Sequence, residues 1–158
     1  MEVIKGDLVA LAKEGCFDMI VHGANCWNSM SGGIAATIAK DFPSAKNVDT
    51  HSLAGDYNKL GNYSVGVVNS YGPTFLVINA YTQYQPGKDA RLNAIITVFD
   101  KLNYEFKGNT VGIPLIGCGI GGLSWWRVKR VIKKAAPDLN IIAVKYEQNK
   151  PNKRFRAK

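Results

Sequence analysis

The sequence is short of the residues that build metal centres and covalent scaffolds. Histidine occurs only at His22 and His51, and cysteine only at Cys16, Cys26 and Cys118. An odd number of cysteines with no C-x-x-C spacing argues against a disulfide framework or a zinc site. With so few histidines, no metal and no cofactor is expected. Long hydrophobic runs are also missing, since nothing approaches the roughly 20 apolar residues of a membrane span. The N-terminus turns charged and glycine-containing at once, through Glu2, Lys5 and Gly6, and does not read as a signal peptide. The expectation is a protein of a reducing cytoplasm with no membrane partner. Acidic residues are absent beyond Glu147, where Lys150, Lys153, Arg154, Arg156 and Lys158 supply five of the eight net positive charges. Such a tail leaves a nucleic-acid contact open beside the plainer reading of a solvated terminus.

What is present suits one domain: 158 residues, 46% of them hydrophobic and 20% charged. Short apolar runs alternate with helical patterns. Residues 2–5 read as a strand, and Asp7 caps a short helix that runs through Lys13 and ends at Gly15. Residues 17–22 form a strand too apolar for a surface edge. Ile34, Ile38 and Phe42 have helical spacing over 33–41, and Pro43 breaks that helix and starts another over 44–53. Strands are expected over 64–69 and 74–81, around the turn Tyr71-Gly72-Pro73. A long helix follows over 89–106, then a strand over 110–116. A helix over 124–136, capped by Ser124, and a strand over 139–146 complete the chain. This order predicts an α/β fold: a three-layer α/β/α sandwich with a mixed, largely parallel six-stranded sheet. The domain is read as 1–147, with 148–158 as a basic C-terminal tail, and a monomer is expected.

Ligands of such sheets bind beyond the carboxyl ends of the strands. The loop Gly117-Cys118-Gly119-Ile120-Gly121-Gly122 lies there, between a strand and a helix. Glycines let backbone N–H groups face a ligand, and the helix adds its positive end, so the loop suits a diphosphate. It satisfies G-x-G-x-x-G, yet it precedes the last helix and strand, where a dinucleotide fingerprint would open the first unit. No G-K-[ST] follows, which excludes a Walker A loop. Cys118 has no cation nearer in sequence than Arg127 and reads as a packing residue. Gly32-Gly33-Ile34 gives a second helix N-terminus suited to an anion. Asn25 can donate to and accept from ribose hydroxyls or tie down its own loop. His22 ends a buried strand. It is either a satisfied core histidine or, facing a phosphate, a general acid or base. Asp7 is an N-cap or an acceptor for an adenine amine, and Tyr146 a base-stacking aromatic or a rim residue. Trp125 and Trp126 divide between core and rim, and the cations of the same helix read as solvated.

In order and position these segments resemble the macro domain family, from about Val3 to Tyr146. Gly6-Asp7-Leu8 resembles its G-D-[IL] element, and Val21-His22-Gly23-Ala24-Asn25 its V-N-A-A-N strand end. Gly32-Gly33-Ile34-Ala35 and the run from Ile113 to Gly122 resemble its two glycine-rich loops. The resemblance implies an ADP-ribose derivative as small-molecule partner. Asp7 and Leu8 would take adenine together with Tyr146, Asn25 the distal ribose, and Gly32, Gly33, Ile34 with Gly117, Cys118, Gly119, Ile120, Gly121 and Gly122 the phosphates. Within the family, His22 and Asn25 ahead of Gly32-Gly33 are most similar to ADP-ribose-1''-phosphate phosphatases and to small phage-encoded macro domain proteins. That similarity implies metal-free removal of the terminal phosphate with His22 and Asn25 as catalytic residues. Ala35 and Gly121 stand where two de-ADP-ribosylating branches carry acidic residues. A pure binding module and a de-ADP-ribosylating hydrolase are the alternatives.

Overall fold

The computed structural model describes residues 1–147, so the basic tail expected over 148–158 lies outside the described residues. Strand β1 (Glu2–Gly6) leads into helix α1 (Leu8–Lys13), and β2 (Met19–Asn25) into α2 (Gly33–Asp41) and α3 (Pro43–Thr50). A 3-10 turn at Tyr57–Lys59 precedes β3 (Tyr63–Val68) and β4 (Phe75–Gln83). Then come α4 (Leu92–Glu105), β5 (Thr110–Ile113), α5 (Trp125–Ala135) and β6 (Asn140–Tyr146). The sheet order is β1-β6-β5-β2-β4-β3, parallel throughout except for the antiparallel β3–β4 pair. This is the mixed sheet expected from the order of elements. The antiparallel edge arises because a short turn connects β3 to β4, whereas helices cross over between the other strands.

Two apolar layers hold helices to the sheet. Ile20 of β2 and Val77 of β4 face one side, where Leu8, Leu11, Ile38 and Ala45 of α1, α2 and α3 pack. Met19, Val21, Ile78 and Val111 face the other, against Ile95, Phe99, Val128 and Ile132 of α4 and α5. The alternation is the two-residue period of the pleat, and it decides where each polar side chain on these strands goes. On β3, a Cβ at Gly66 would come within 2.8 Å of the Ala45 backbone, so α3 lies against β3 more closely than any side chain would allow. Among the described residues, no helix is long and apolar enough to cross a membrane.

Several boundaries differ from the sequence reading. β5 stops at Ile113 because Pro114 has no amide for the ladder, and the residues after it form turns. β2 reaches Asn25, beyond His22, because its pairing with β4 continues through Asn25↔Gln83. α4 starts at Leu92, since Asp89 instead accepts the Tyr84 and Gln85 amides in the preceding loop. Asp7 does cap α1, accepting from the Ala10 amide at 3.1 Å, but the Ser124 side chain makes no capping bond on α5.

Candidate functional site

The carboxyl ends of β2, β5 and β6 open onto two loops in which several amides have no backbone partner among the described residues. At the start of α2, Gly32 is extended and Gly33 sits at φ +56°, and no side chain caps the helix. Among the described residues the amides of Gly33, Ile34 and Ala35 therefore stay unpaired, as the first turn of an uncapped helix leaves them. In the loop after β5, the Cys118 amide donates to Leu115 and the Leu123 amide to Gly117. These turns hold the loop in shape, while the amides of Gly117, Gly119, Ile120 and Gly121 donate to no backbone carbonyl among the described residues. Gly117 has φ +75°, a conformation that a side chain would strain.

Both loops line the same cleft. A cavity of about 480 Å³ runs from Gly32 and Gly33 to Gly117, Gly119 and Gly121 and down to Asn25. A second cavity of about 710 Å³ adjoins it and shares Gly33, Ile34, Pro114, Leu115 and Gly119. The N-terminus of α2 and the loop after β5 thus bring two sets of N–H donors to the junction, a geometry suited to an anion.

The larger cavity is the more apolar end. Leu8, Val9 and Val144 form its floor, and Asp7, Lys145 and Tyr146 its rim. Asp7 uses Oδ1 to cap α1, and its Oδ2 has no protein partner among the described residues. Tyr146 is 65% exposed, with a free ring face. Cys118 also lines this end. Its thiol donates to the Ile116 carbonyl, and burial raises its pKa to about 11, which makes it an unreactive packing group.

The smaller cavity is the polar end, and among the described residues no ionisable side chain lines it. Asn25 accepts the Trp27 amide at 2.9 Å and donates to the Ser29 carbonyl at 2.9 Å, so its main work is holding the loop that follows β2. Thr82 and Gln83 line the opposite wall and were missed in the sequence. Between Ala24↔Tyr81 and Asn25↔Gln83 the register slips by one residue, and Thr82 is the residue inserted. This bulge brings Thr82 to the cleft, with its Oγ1 buried and unpartnered. A Cβ on Gly23 would lie 2.8 Å from that hydroxyl, so the glycine makes room for it. A bulge has no local sequence signal. Ser29 and Ser31, whose hydroxyls bond each other at 3.0 Å, also line this end.

Two expected site residues lie elsewhere. Gly122 is outside both cavities; its amide bonds the Gly119 carbonyl, and its φ of +87° serves the turn into α5. His22 lines neither cavity. It follows Ile20 on the α3 side of β2, is fully buried, and bonds Asn79 Oδ1 through Nε2 at 2.6 Å. Asn79 donates to the Ala45 carbonyl and to Ser64, and Ser64 bonds the Tyr81 hydroxyl. Tyr81 donates to the buried Asp49 carboxylate at 2.8 Å, and the Lys59 ammonium lies over the Tyr81 ring. Burial lowers the His22 pKa from its ordinary value, partly opposed by the bond to Asn79. In this structure His22 belongs to the polar interior beneath the cleft and not to its surface.

The comparisons agree with this architecture. The macro domain family model matches residues 21–132. A 17.5 kDa protein of the tk-vs intergenic region of Enterobacteria phage T4 is 35% identical, covering 93% of this chain and 97% of that protein. An ADP-ribose 1''-phosphate phosphatase of Scheffersomyces stipitis is 24% identical, covering 89% of this chain and 98% of its own. Among solved structures, Thermosipho africanus DarTG in complex with ADP-ribose superposes with a TM-score of 0.71 at 17% identity, covering 94% of this chain and 42% of that one. With a family model spanning most of its length and a near full-length relative, the chain belongs to the macro domain family.

Proposed function

We propose that the cleft captures ADP-ribose derivatives. The reading rests on one observation: the amides of Gly33–Ala35 and of Gly117, Gly119, Ile120 and Gly121, without backbone partners among the described residues, converge on a single crevice. In the proposed pose adenine stacks on Tyr146, with its amine on Asp7 and its body over Leu8. The diphosphate takes the loop amides, aided by Gly32, Gly33, Ile34, Gly119, Ile120 and Gly121. The distal ribose and its substituent enter the smaller cavity, beside Asn25 and Thr82. Cys118 packs against the ligand, and Gly122 supports the loop from outside. No histidine lines either cavity among the described residues, so affinity should vary little between pH 6 and 8. Calorimetric titration with ADP-ribose is the test: micromolar binding supports the proposal, and no heat together with no thermal shift removes it.

A second reading adds hydrolysis of the terminal phosphate of ADP-ribose 1''-phosphate, favoured by the Scheffersomyces relative's name and near full-length match. Water would attack phosphorus and the bond to the C1'' oxygen would break. The N-terminal amides of α2 would stabilise the charge on the phosphoryl oxygens. His22 enters this proposal as a positioning residue, because it supports Gly23 at the cleft floor without reaching the cavity. Incubation with ADP-ribose 1''-phosphate and with an ADP-ribosylated protein, products read by mass spectrometry, separates the readings. Phosphate release that survives in His22→Gln and fails in a loop variant supports amide-driven hydrolysis. Release of free ADP-ribose from the protein marks a de-ADP-ribosylating hydrolase, and binding without turnover marks a pure capture module.

A further inference from the structure

The excess of positive over negative charge in this protein comes from two places. Of its 20 basic residues, five lie in α5, five follow Glu147 and ten lie elsewhere, while all 12 acidic residues lie elsewhere. Without α5 and the C-terminal segment the chain is therefore net negative by two. The run from 107 to 137 contains no acidic residue at all. α2, α3 and α4 mix their signs, α4 with Asp100, Lys101 and Glu105.

α5 keeps its apolar side for the protein. Val128 and Ile132 are fully buried against α4 and the sheet, whereas Trp126, Arg127, Arg130, Lys133 and Lys134 are exposed. Spacings of three and four residues align these side chains in one stripe along the helix. No ion pair among the described residues reaches them. At one end of the stripe Trp126 is 68% exposed, with the Arg130 guanidinium 5.8 Å from its ring centroid. That end adjoins the loop that lines the cleft, so the stripe begins at the cleft rim.

We propose that the exposed face of α5 docks single-stranded nucleic acid, with its cations on backbone phosphates and Trp126 beneath an unstacked base. A row of unpaired cations complements a polyanion, and an exposed aromatic among them complements a base whose face is free. A lipid surface fits less well, because a helix that lies on a bilayer needs an apolar face to bury there, and that of α5 is already in the core. The surface does not depend on which ligand fills the cleft.

Fluorescence anisotropy of the full chain with a labelled oligothymidylate tests this, with the matching duplex and phosphatidylglycerol vesicles as competing arms. Binding should weaken with salt and favour the single strand. The double variant Arg130→Gln, Lys134→Gln should reduce the log–log salt slope by about 1.4, at about 0.7 per lost phosphate contact. Trp126→Ala should weaken binding about tenfold. The charge-matched pair Lys40→Gln, Lys46→Gln should leave affinity and slope unchanged. All these side chains are exposed, and an unaltered melting temperature verifies that each variant is folded. An α5 variant with unchanged affinity and slope would overturn the proposal, as would an equal loss in the control pair, a preference for duplex or vesicles, or no oligonucleotide binding at low salt.

Discussion

Two polar regions meet on β2, one residue apart, and they are built in opposite ways. From Gly23 onward the strand opens into a cleft whose two glycine loops present backbone amides without partners among the described residues. At His22 it joins a buried chain of side chains, running through Asn79, Ser64 and Tyr81 to Asp49, bonded one to the next, with His22 Nδ1 left buried and without a partner among the described residues. Unpaired donors at a solvent-filled edge cost little while water serves them, and they are ready for an anion. Polar groups left unpaired beneath a helix would cost their full desolvation, so the side chains there bond one another, with His22 Nδ1 the exception within this chain. The cleft is thus set up for binding and the interior network for specifying the packing of α3 on the sheet. Changes to the first should alter affinity, and changes to the second stability.

The largest effect expected is on affinity. A Cβ at Gly121 would lie 2.7 Å from the Gly117 carbonyl and from Ala90, so Gly121→Ala must move the loop. ADP-ribose affinity measured by calorimetry should fall about 100-fold, about 2.7 kcal/mol. Gly119→Ala meets nothing within 4 Å and should leave the fold intact, so any loss of affinity there reports on the ligand alone. If Gly121→Ala binds normally, the loop amides are not the site.

Next is Tyr81→Phe. It removes the hydroxyl donated to Asp49, a carboxylate that is 1% exposed, and should cost about 1–3 kcal/mol in urea denaturation. ADP-ribose affinity should change less than twofold. A large loss of binding with unchanged stability would reverse the division between the two regions.

A pH effect follows from His22. Its folded-state pKa is lowered by burial, so below the ordinary histidine value the unfolded chain binds a proton that the folded chain refuses. The stability contribution is full above about pH 6.5 and is lost as pH falls toward the folded-state pKa, at up to about 1.4 kcal/mol per pH unit. Denaturation midpoints between pH 7.5 and 5 should show this decline, and His22→Gln should flatten it.

The smallest effect combines both regions in one side chain. Asp7→Ala removes the α1 cap, at about 1 kcal/mol, and the proposed adenine acceptor. Thermal melting should show the first loss. A several-fold drop in affinity for ADP-ribose, with none for inosine-containing diphosphates, should show the second.

The fold was largely legible because its signals are local. Apolar runs bounded by Gly15, Pro43 and Pro137 set the elements, and their alternation set a mixed sheet. The two glycine loops were legible for the same reason, since a positive φ or an uncapped helix start demands glycine where it occurs. His22 was ambiguous in the sequence, although the two-residue period with Ile20 places it on a covered face. What the sequence did not reveal was who sits opposite. Thr82 reaches the cleft through a bulge set by pairing with β2, and His22 turns to Asn79 because β4 lies in register beside it. The sequence by itself determined the elements, the glycine loops and the origin of the net positive charge in α5 and the segment after Glu147. Only the tertiary structure decided which polar atoms are left unpaired, because pairing depends on strand register and helix docking between segments distant in the chain.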